Sequence, residues 1–125
     1  MKLWIFDTDS TPQRFPLLRL MDQIEQVVGH PTKNYFVRKS RGYGLRVNEW
    51  DSLLDEQDSI SVQPSELRRI GSGVDEWFYD MEALSVESDI VFGIHDSTAM
   101  FVDGPESVVR QIVKPFERVK VHTSQ

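Results

Sequence analysis

The chain has 125 residues, of which 39% are hydrophobic and 10% aromatic, and this is enough apolar material for one packed core and a single domain, residues 1–125. The absence of cysteine excludes disulfide and thiolate–metal frameworks. Acidic residues (20) outnumber basic ones (14), for a net charge of −6, which argues against nucleic-acid binding through a basic face. No apolar run approaches the ~20 residues that cross a bilayer. The first residues become charged too early for a signal peptide, so we expect a soluble, cytoplasmic protein.

The first third of the chain predicts a strand, a helix and a second strand. Residues 3–6 are Leu-Trp-Ile-Phe, apolar on both faces, which is typical of a central strand. Apolar side chains recur at helical spacing over residues 16–28, and Gly29 ends this helix. Residues 34–40 favour a strand by side-chain type, and the glycines at 42–44 indicate a flexible turn after it.

The middle of the chain predicts shorter elements. Asn48 can cap a short helix, and apolar side chains at residues 60–62 suggest a short strand. Pro64 can open another short helix, which holds residues 67–70. Residues 74–84 fit a helical stripe and a strand alternation equally well, but their Trp-Phe-Tyr run favours a strand.

A hairpin is the firmest prediction for the last third. Two apolar runs, residues 90–95 and 98–103, flank a polar pivot at Asp96 and Ser97, whose side chains suit a turn. If these two residues form the whole loop, five apolar side chains share one face and predict a core face. These side chains are Ile90, Phe92, Ile94, Ala99 and Phe101.

A helix and a strand follow the hairpin. Pro105 opens a helix over residues 105–114, and Pro115 ends it. Val119 and Val121 then alternate with polar residues, as in a half-buried strand. The expected fold class is therefore α+β, a mostly antiparallel sheet with the 16–28 and 105–114 helices packed on one face.

The residues that follow the first strand carry a candidate catalytic motif. Residues 7–11, Asp-Thr-Asp-Ser-Thr, resemble the first motif of haloacid-dehalogenase-like phosphotransferases. The resemblance implies Asp7 as nucleophile, Asp9 as general acid/base and a bound magnesium ion. It covers only residues 3–11, and the later acidic pair and the repeated parallel strand–helix units of that family are missing. We favour the simpler interpretation, a turn that precedes a helix.

The histidines give no convincing site. Residues 95–97, His-Asp-Ser, contain the residue types of a catalytic triad, but neighbouring side chains cannot converge as a triad must. His30, His95 and His122 lack ligand spacing, so we expect no metal site and no cofactor. A basic segment, residues 33–46, is either solvated or paired with acidic side chains.

The best candidate for binding a partner is the acidic segment 49–58. Aromatic residues surrounded by charges are typical of interface centres with polar rims. The alternative is a solvated helix that buries its apolar residues in the core. The predicted partner-binding residues are Trp50, Asp51, Asp55, Glu56 and Asp58.

The second half of the chain carries a second resemblance. Three stretches, residues 75–80, 92–102 and 113–119, resemble the small, acidic, cysteine-free immunity proteins of bacterial contact-dependent inhibition and related toxin systems. The resemblance implies a protein inhibitor, not an enzyme, that binds one cognate toxin domain and blocks its active site or substrate path. An acidic inhibitor would be steered towards a basic toxin domain. The alternative function is the magnesium-dependent phosphotransferase that uses Asp7 and Asp9.

Overall fold

The protein is described by a computed structural model that covers residues 1–123. Within these residues the chain forms seven strands and four helices, and all strand pairs are antiparallel. The strands are β1 (Lys2–Ile5), β2 (Tyr35–Tyr43), β3 (Ile60–Val62), β4 (Trp77–Ser85), β5 (Ile90–His95), β6 (Ala99–Asp103) and β7 (Val119–Val121). The helices are α1 (Leu17–Val28), α2 (Leu45–Leu54), α3 (Pro64–Gly71) and α4 (Glu106–Ile112). The predicted α+β class is confirmed.

The seven strands form one sheet in the order β3-β2-β4-β5-β6-β1-β7. Side chains alternate between the two faces of the sheet, and the register carries this alternation from strand to strand. Ile5 lies opposite Met100, which lies opposite Ile94, and all three are buried. Buried apolar residues of all four helices belong to the same core cluster as this inner face. The outer face carries Trp4, Val91 and other half-buried side chains.

The two main helices lie close to their predicted bounds. Gly29 ends α1 in the left-handed conformation (φ 93°), and its N–H donates to the carbonyl oxygen of Glu25. Pro105 precedes α4, whose Val109 and Ile112 are buried. Both helices contribute to the core on the inner face, as the sequence predicts. No helix within residues 1–123 is long and apolar enough to span a membrane.

The ambiguous segment is a strand. β4 pairs with β2 on one side and β5 on the other, so β4, β5 and β6 form a meander. Met81 and Ala83 point to the inner face and are fully buried. A central position in the sheet favours the alternating pattern over the helical stripe that the same residues also fit.

The start of α2 corrects two predictions. β2 continues to Tyr43, so Gly42 belongs to the strand rather than to a flexible turn. At Gly42 a Cβ atom would clash with the backbone oxygen of Trp77, so the close approach of β4 requires glycine. The helix begins at Leu45, and Asn48 lies inside it instead of capping it.

The hairpin register also differs from the prediction. Ile94 pairs with Met100 and His95 with Ala99, so three residues, 96–98, separate the strands. Asp96 and Ser97 adopt positive φ angles of 47° and 56°. The additional loop residue shifts the pairing by one position, so Met100 faces the core with Ile94, whereas Ala99 and Phe101 lie on the outer face.

The last strand lies at the edge of the sheet. β7 pairs only with β1, with Lys120 opposite Trp4 and Val119 opposite Ile5. The predicted half-buried alternation is absent, because all three residues of β7 are exposed, Val119 by 36% and Val121 by 41%. An edge strand has a neighbour on one side only, and this leaves its side chains more accessible.

Candidate functional site

Helix α2 places the predicted anchor Trp50 in the core. Val47, Trp50 and Leu54 form the inner stripe of the helix. Trp50 is only 5% exposed and stacks on Phe78 of β4, with 6.4 Å between the ring centroids. Trp50 therefore packs inside the protein, and the prediction of an exposed aromatic anchor is wrong at this position.

The solvent side of α2 instead carries two leucines. Leu45 is 81% exposed and Leu53 is 42% exposed. Together with Asn48, Glu49 and Ser52 they line a shallow surface depression. Contiguous apolar patches rimmed by polar residues mark interaction surfaces, whereas single exposed leucines are common on proteins. Once the helix is started at Leu45, its periodicity places residue 45 opposite the Val47–Trp50 stripe and residue 53 at the flank of that stripe.

Four carboxylates lie at the C-terminal end of α2, and we call them the acidic patch: Asp51, Asp55, Glu56 and Asp58. The last three are exposed, and Asp51 is partly buried. Within residues 1–123, none of the four forms an ion pair with Lys or Arg. The chain also contains no Lys or Arg between Arg46 and Arg68.

Three of the five basic residues in segment 33–46 form ion pairs with acids among residues 1–123. Arg38 lies 3.8 Å from Glu82 and Lys39 lies 3.5 Å from Asp80, both on β4. Arg46 is the exception, because it contacts Glu49 at 2.8 Å as well as Glu66 at 2.9 Å. Pairing of the basic segment with the acidic segment is therefore limited, among the described residues, to Arg46 and Glu49.

The position of the acidic patch is electrostatically unfavourable for the isolated protein. Asp55 is the C-cap of α2, and no basic residue lies in the last turn of the helix. The C-terminus of a helix carries partial negative charge, and an exposed carboxylate there costs roughly 0.3–1 kcal/mol. Three basic side chains, Arg38, Lys39 and Arg41, line a cleft together with Asp51 and Asp55 and offset part of this cost, whereas Glu56 and Asp58 do not line that cleft.

A buried carboxylate anchors the other end of α2. Oε1 of Glu76 accepts hydrogen bonds from the backbone N–H groups of Arg46 (2.8 Å) and Val47 (3.0 Å). Oε2 of Glu76 accepts a hydrogen bond from Arg69 at 2.8 Å. Burial of the carboxylate raises its pKa, but the N–H of Val47, the guanidinium of Arg69 and the N–H of Arg46 outweigh burial and lower the pKa overall.

Glu76 thus replaces a local helix cap. The N-cap Gly44 offers no side chain, and a Cβ atom there would clash with Cγ of Glu76. The carboxylate that satisfies the first amides of α2 comes from a residue about thirty positions later in the chain. Sequence reasoning missed this role because the spacing carries no local capping signal.

The two aspartates of the motif that resembles phosphotransferases, Asp7 and Asp9, accept hydrogen bonds from loop residues. The carboxylate of Asp7 accepts the backbone N–H groups of Glu117 (3.0 Å) and Arg118 (2.8 Å). Asp9 accepts hydrogen bonds from the backbone N–H and the hydroxyl of Thr11. These contacts give both carboxylates a structural use at the entry to β7 and before α1. The catalytic interpretation of Asp7 and Asp9 stays a prediction.

Two of the three histidines meet around Trp4, an arrangement that their sequence spacing did not reveal. The ring centroids of His95 and His122 lie 5.4 Å and 5.5 Å from that of Trp4. His30 lies elsewhere, with Nδ1 3.7 Å from Glu87. Over residues 1–123, no group of three His, Asp or Glu side chains is placed to hold a metal ion. The cavity beside Trp4 measures about 260 Å³.

Comparisons with known proteins leave the function open. No protein-family model, curated protein or solved structure matches the chain. The functional argument therefore depends on the surfaces described above, and the two resemblances noted in the sequence stay predictions.

Proposed function

We propose that this protein is a protein-binding inhibitor that neutralises a basic partner domain, as an immunity protein does for its cognate toxin. The observation that carries the proposal is the acidic patch, whose four carboxylates have no cationic partner within the described residues. Unpaired charge at the unfavourable end of a helix supports a role outside the folded chain. Such a role requires no catalytic residue and no cofactor.

The surface around the patch supports the same proposal. Leu45 and Leu53 are exposed on the side of α2 that faces away from the core. Apolar side chains can supply the desolvated centre of an interface, and charges at its rim set partner choice and association rate. In this arrangement the leucines replace Trp50 as the apolar contacts.

The charge of the patch defines the partner. Carboxylates attract a surface rich in Lys and Arg, and such surfaces are common on enzymes that act on nucleic acids. An acidic protein bound there competes with the phosphate backbone for the same side chains. We propose a toxin domain of this kind as the partner and the cytoplasm as the place where the two meet.

The test compares two variants that lose the same charge at different places. Asp55→Asn combined with Glu56→Gln neutralises two carboxylates of the acidic patch. Asp89→Asn combined with Glu117→Gln removes two exposed charges elsewhere, and Asn tolerates the positive φ of 56° at position 89. Both variants change the net charge from −6 to −4. Each is tagged and used with the wild type to capture binding proteins from native lysate at low and high salt.

We expect a partner that the wild type and the Asp89/Glu117 variant retain at low salt and the Asp55/Glu56 variant loses. The captured protein is then purified, and its activity is measured with equimolar wild type, which should abolish it. Equal retention by both variants would remove the acidic patch from the interface. A partner that stays fully active when bound would contradict inhibition while leaving binding intact.

A further inference from the structure

The cavity beside Trp4, which we call the Trp4 pocket, is assembled from three distant parts of the chain. β1 supplies Trp4, the β5–β6 hairpin supplies His95, and β7 with the residues after it supplies Lys120 and His122. The strand register brings these parts together, because Lys120 lies directly opposite Trp4 on the outer face of the sheet. Alternation along the strand then brings His122 to the same face as Lys120.

The walls of the Trp4 pocket are aromatic. Both imidazole rings are tilted against the indole of Trp4, at 55° for His95 and 56° for His122. Phe6 also lines the cavity. The aromatic rings of these four side chains offer flat surfaces on which the ring of a ligand can pack. The volume of about 260 Å³ limits the occupant to a small molecule or the tip of a larger one.

A hydrogen bond from Trp4 determines which ring nitrogen of a neutral His122 carries the proton. The indole N–H of Trp4 donates to Nδ1 of His122 at 2.9 Å. Because Nδ1 accepts, a neutral His122 carries its proton on Nε2, which is then a donor. The same bond disfavours metal binding, since Nδ1 is occupied and Nε2 is protonated. The pocket is therefore equipped to donate hydrogen bonds to an acceptor.

The charge around the Trp4 pocket is opposite to that of the protein as a whole. Among the described residues, no Asp or Glu lines the cavity, although the chain has a net charge of −6. Lys120 lines it and forms no ion pair within residues 1–123. The ammonium of Lys2 lies 4.5 Å from the ring centroid of Trp4. Lys2 does not line the cavity, so Lys120 is its lining cation, and this cation together with a fixed donor favours an anion.

We propose that the Trp4 pocket binds a small molecule with an aromatic ring that carries an oxyanion, either a carboxylate or a phosphate. The ring packs against the aromatic walls, and the oxyanion accepts hydrogen bonds from the ammonium of Lys120 and from Nε2–H of His122. The site is separate from the acidic patch, so it does not depend on the inhibitor function.

The test is an NMR titration of the full chain with phenyl phosphate, followed through the indole N–H signal of Trp4. We expect this signal to shift and saturate, while the indole signal of Trp77 stays in place. Lys120→Gln should weaken binding about tenfold, the effect of losing one charge-assisted hydrogen bond. Lys114→Gln is the matched control, because it removes an exposed lysine that does not line the cavity.

Two further probes separate the parts of the proposal. Benzoate should shift the same signals as phenyl phosphate, and inorganic phosphate should bind more weakly because it has no ring. Inorganic phosphate that binds as tightly as phenyl phosphate would overturn the role of the aromatic walls. A lack of saturable shift at about 10 mM phenyl phosphate, enough to fill a millimolar site, would overturn the proposal. Equal affinities of the Lys120→Gln and Lys114→Gln variants would overturn it as well.

Discussion

The two edges of the sheet differ in both charge and construction. At the β3–β2 edge, helix α2 ends in four carboxylates that the described chain leaves unpaired. At the β7 edge, the Trp4 pocket is lined by the cation Lys120 and by hydrogen-bond donors but, in the part of the chain that is described, by no carboxylate. A net charge of −6 describes neither surface. The comparison teaches that recognition follows local charge and geometry, so one small protein can offer surfaces to partners of opposite sign.

The largest effect on stability is expected at Glu76, the buried carboxylate that binds the first amides of α2. Glu76→Gln keeps the size of the side chain but removes the charge that two backbone N–H groups and Arg69 satisfy. Hydrogen bonds to charged groups are stronger than neutral ones, so we expect a loss of about 2 kcal/mol in the free energy of unfolding. Urea denaturation measures this loss.

The matched control for Glu76→Gln is Glu49→Gln. Glu49 is exposed and contacts Arg46 through a surface ion pair, which contributes at most about 1 kcal/mol. Similar losses in the two variants would show that Glu76 is an ordinary surface acid and does not anchor α2.

The same carboxylate predicts a pH dependence. Folding lowers the pKa of Glu76 from its ordinary value of 4.5, so the folded state favours the ionised form. Its stabilising contribution is complete above the ordinary pKa and is lost as the pH falls through the lower, folded pKa. The stability difference between wild type and Glu76→Gln should therefore be largest near neutral pH and shrink below about pH 4.5. Urea midpoints at several pH values measure it, and a constant difference would contradict the prediction.

Neutralising the acidic patch should stabilise the protein. The Asp55→Asn and Glu56→Gln double variant removes two carboxylates from the negative end of α2, and we expect a gain of about 0.5–1 kcal/mol. The Asp89→Asn and Glu117→Gln variant loses the same charge without relieving a helix terminus. In thermal unfolding, the Asp55/Glu56 variant should have a higher Tm than the wild type, and the Asp89/Glu117 variant should not. A gain shared by both variants would assign the effect to net charge alone.

The smallest effect is expected at the Trp4 pocket. Trp4→Phe keeps an aromatic ring but removes the donor to Nδ1 of His122, an exposed hydrogen bond. We expect a stability loss of about 0.5 kcal/mol and a clear shift of the ring ¹⁵N signals of His122. Trp77→Phe, which changes a tryptophan stacked on Tyr43, is the control and should leave those signals unchanged. Unchanged signals in Trp4→Phe would mean that His122 is not held by Trp4.

Much of the fold could be predicted because its signals are local. The helical spacing before Gly29 and the aromatic run at Trp77 identified α1 and β4. The hairpin register could not be predicted, because the sequence does not determine whether two or three residues form the loop. One residue of loop length moved Ala99 from the predicted core face to the outer face.

The two candidate sites differ in predictability for the same reason. The acidic patch is nearly contiguous, so its charges were visible in the sequence, whereas Trp50 is buried, and the partner-binding role of the four carboxylates stays a prediction. The Trp4 pocket joins Trp4 to residues more than ninety positions away, and no spacing rule connects them. Glu76 was missed in the same way, because its hydrogen-bond partners at α2 lie about thirty positions earlier in the chain. Long-range pairing positions these side chains, and it is the part of a fold that local patterns record least.

The place of β1 in the sheet has a consequence for the order in which the protein folds during synthesis. β1 is translated first, yet it pairs with β6 and β7, whose residues follow about a hundred positions later. Strands β2, β4, β5 and β6 pair over shorter separations in sequence, so they can form their part of the sheet before β7 is available to pair with β1. Helix α2 and the strands beside it can thus form before the Trp4 pocket, which needs β7 to be synthesised first.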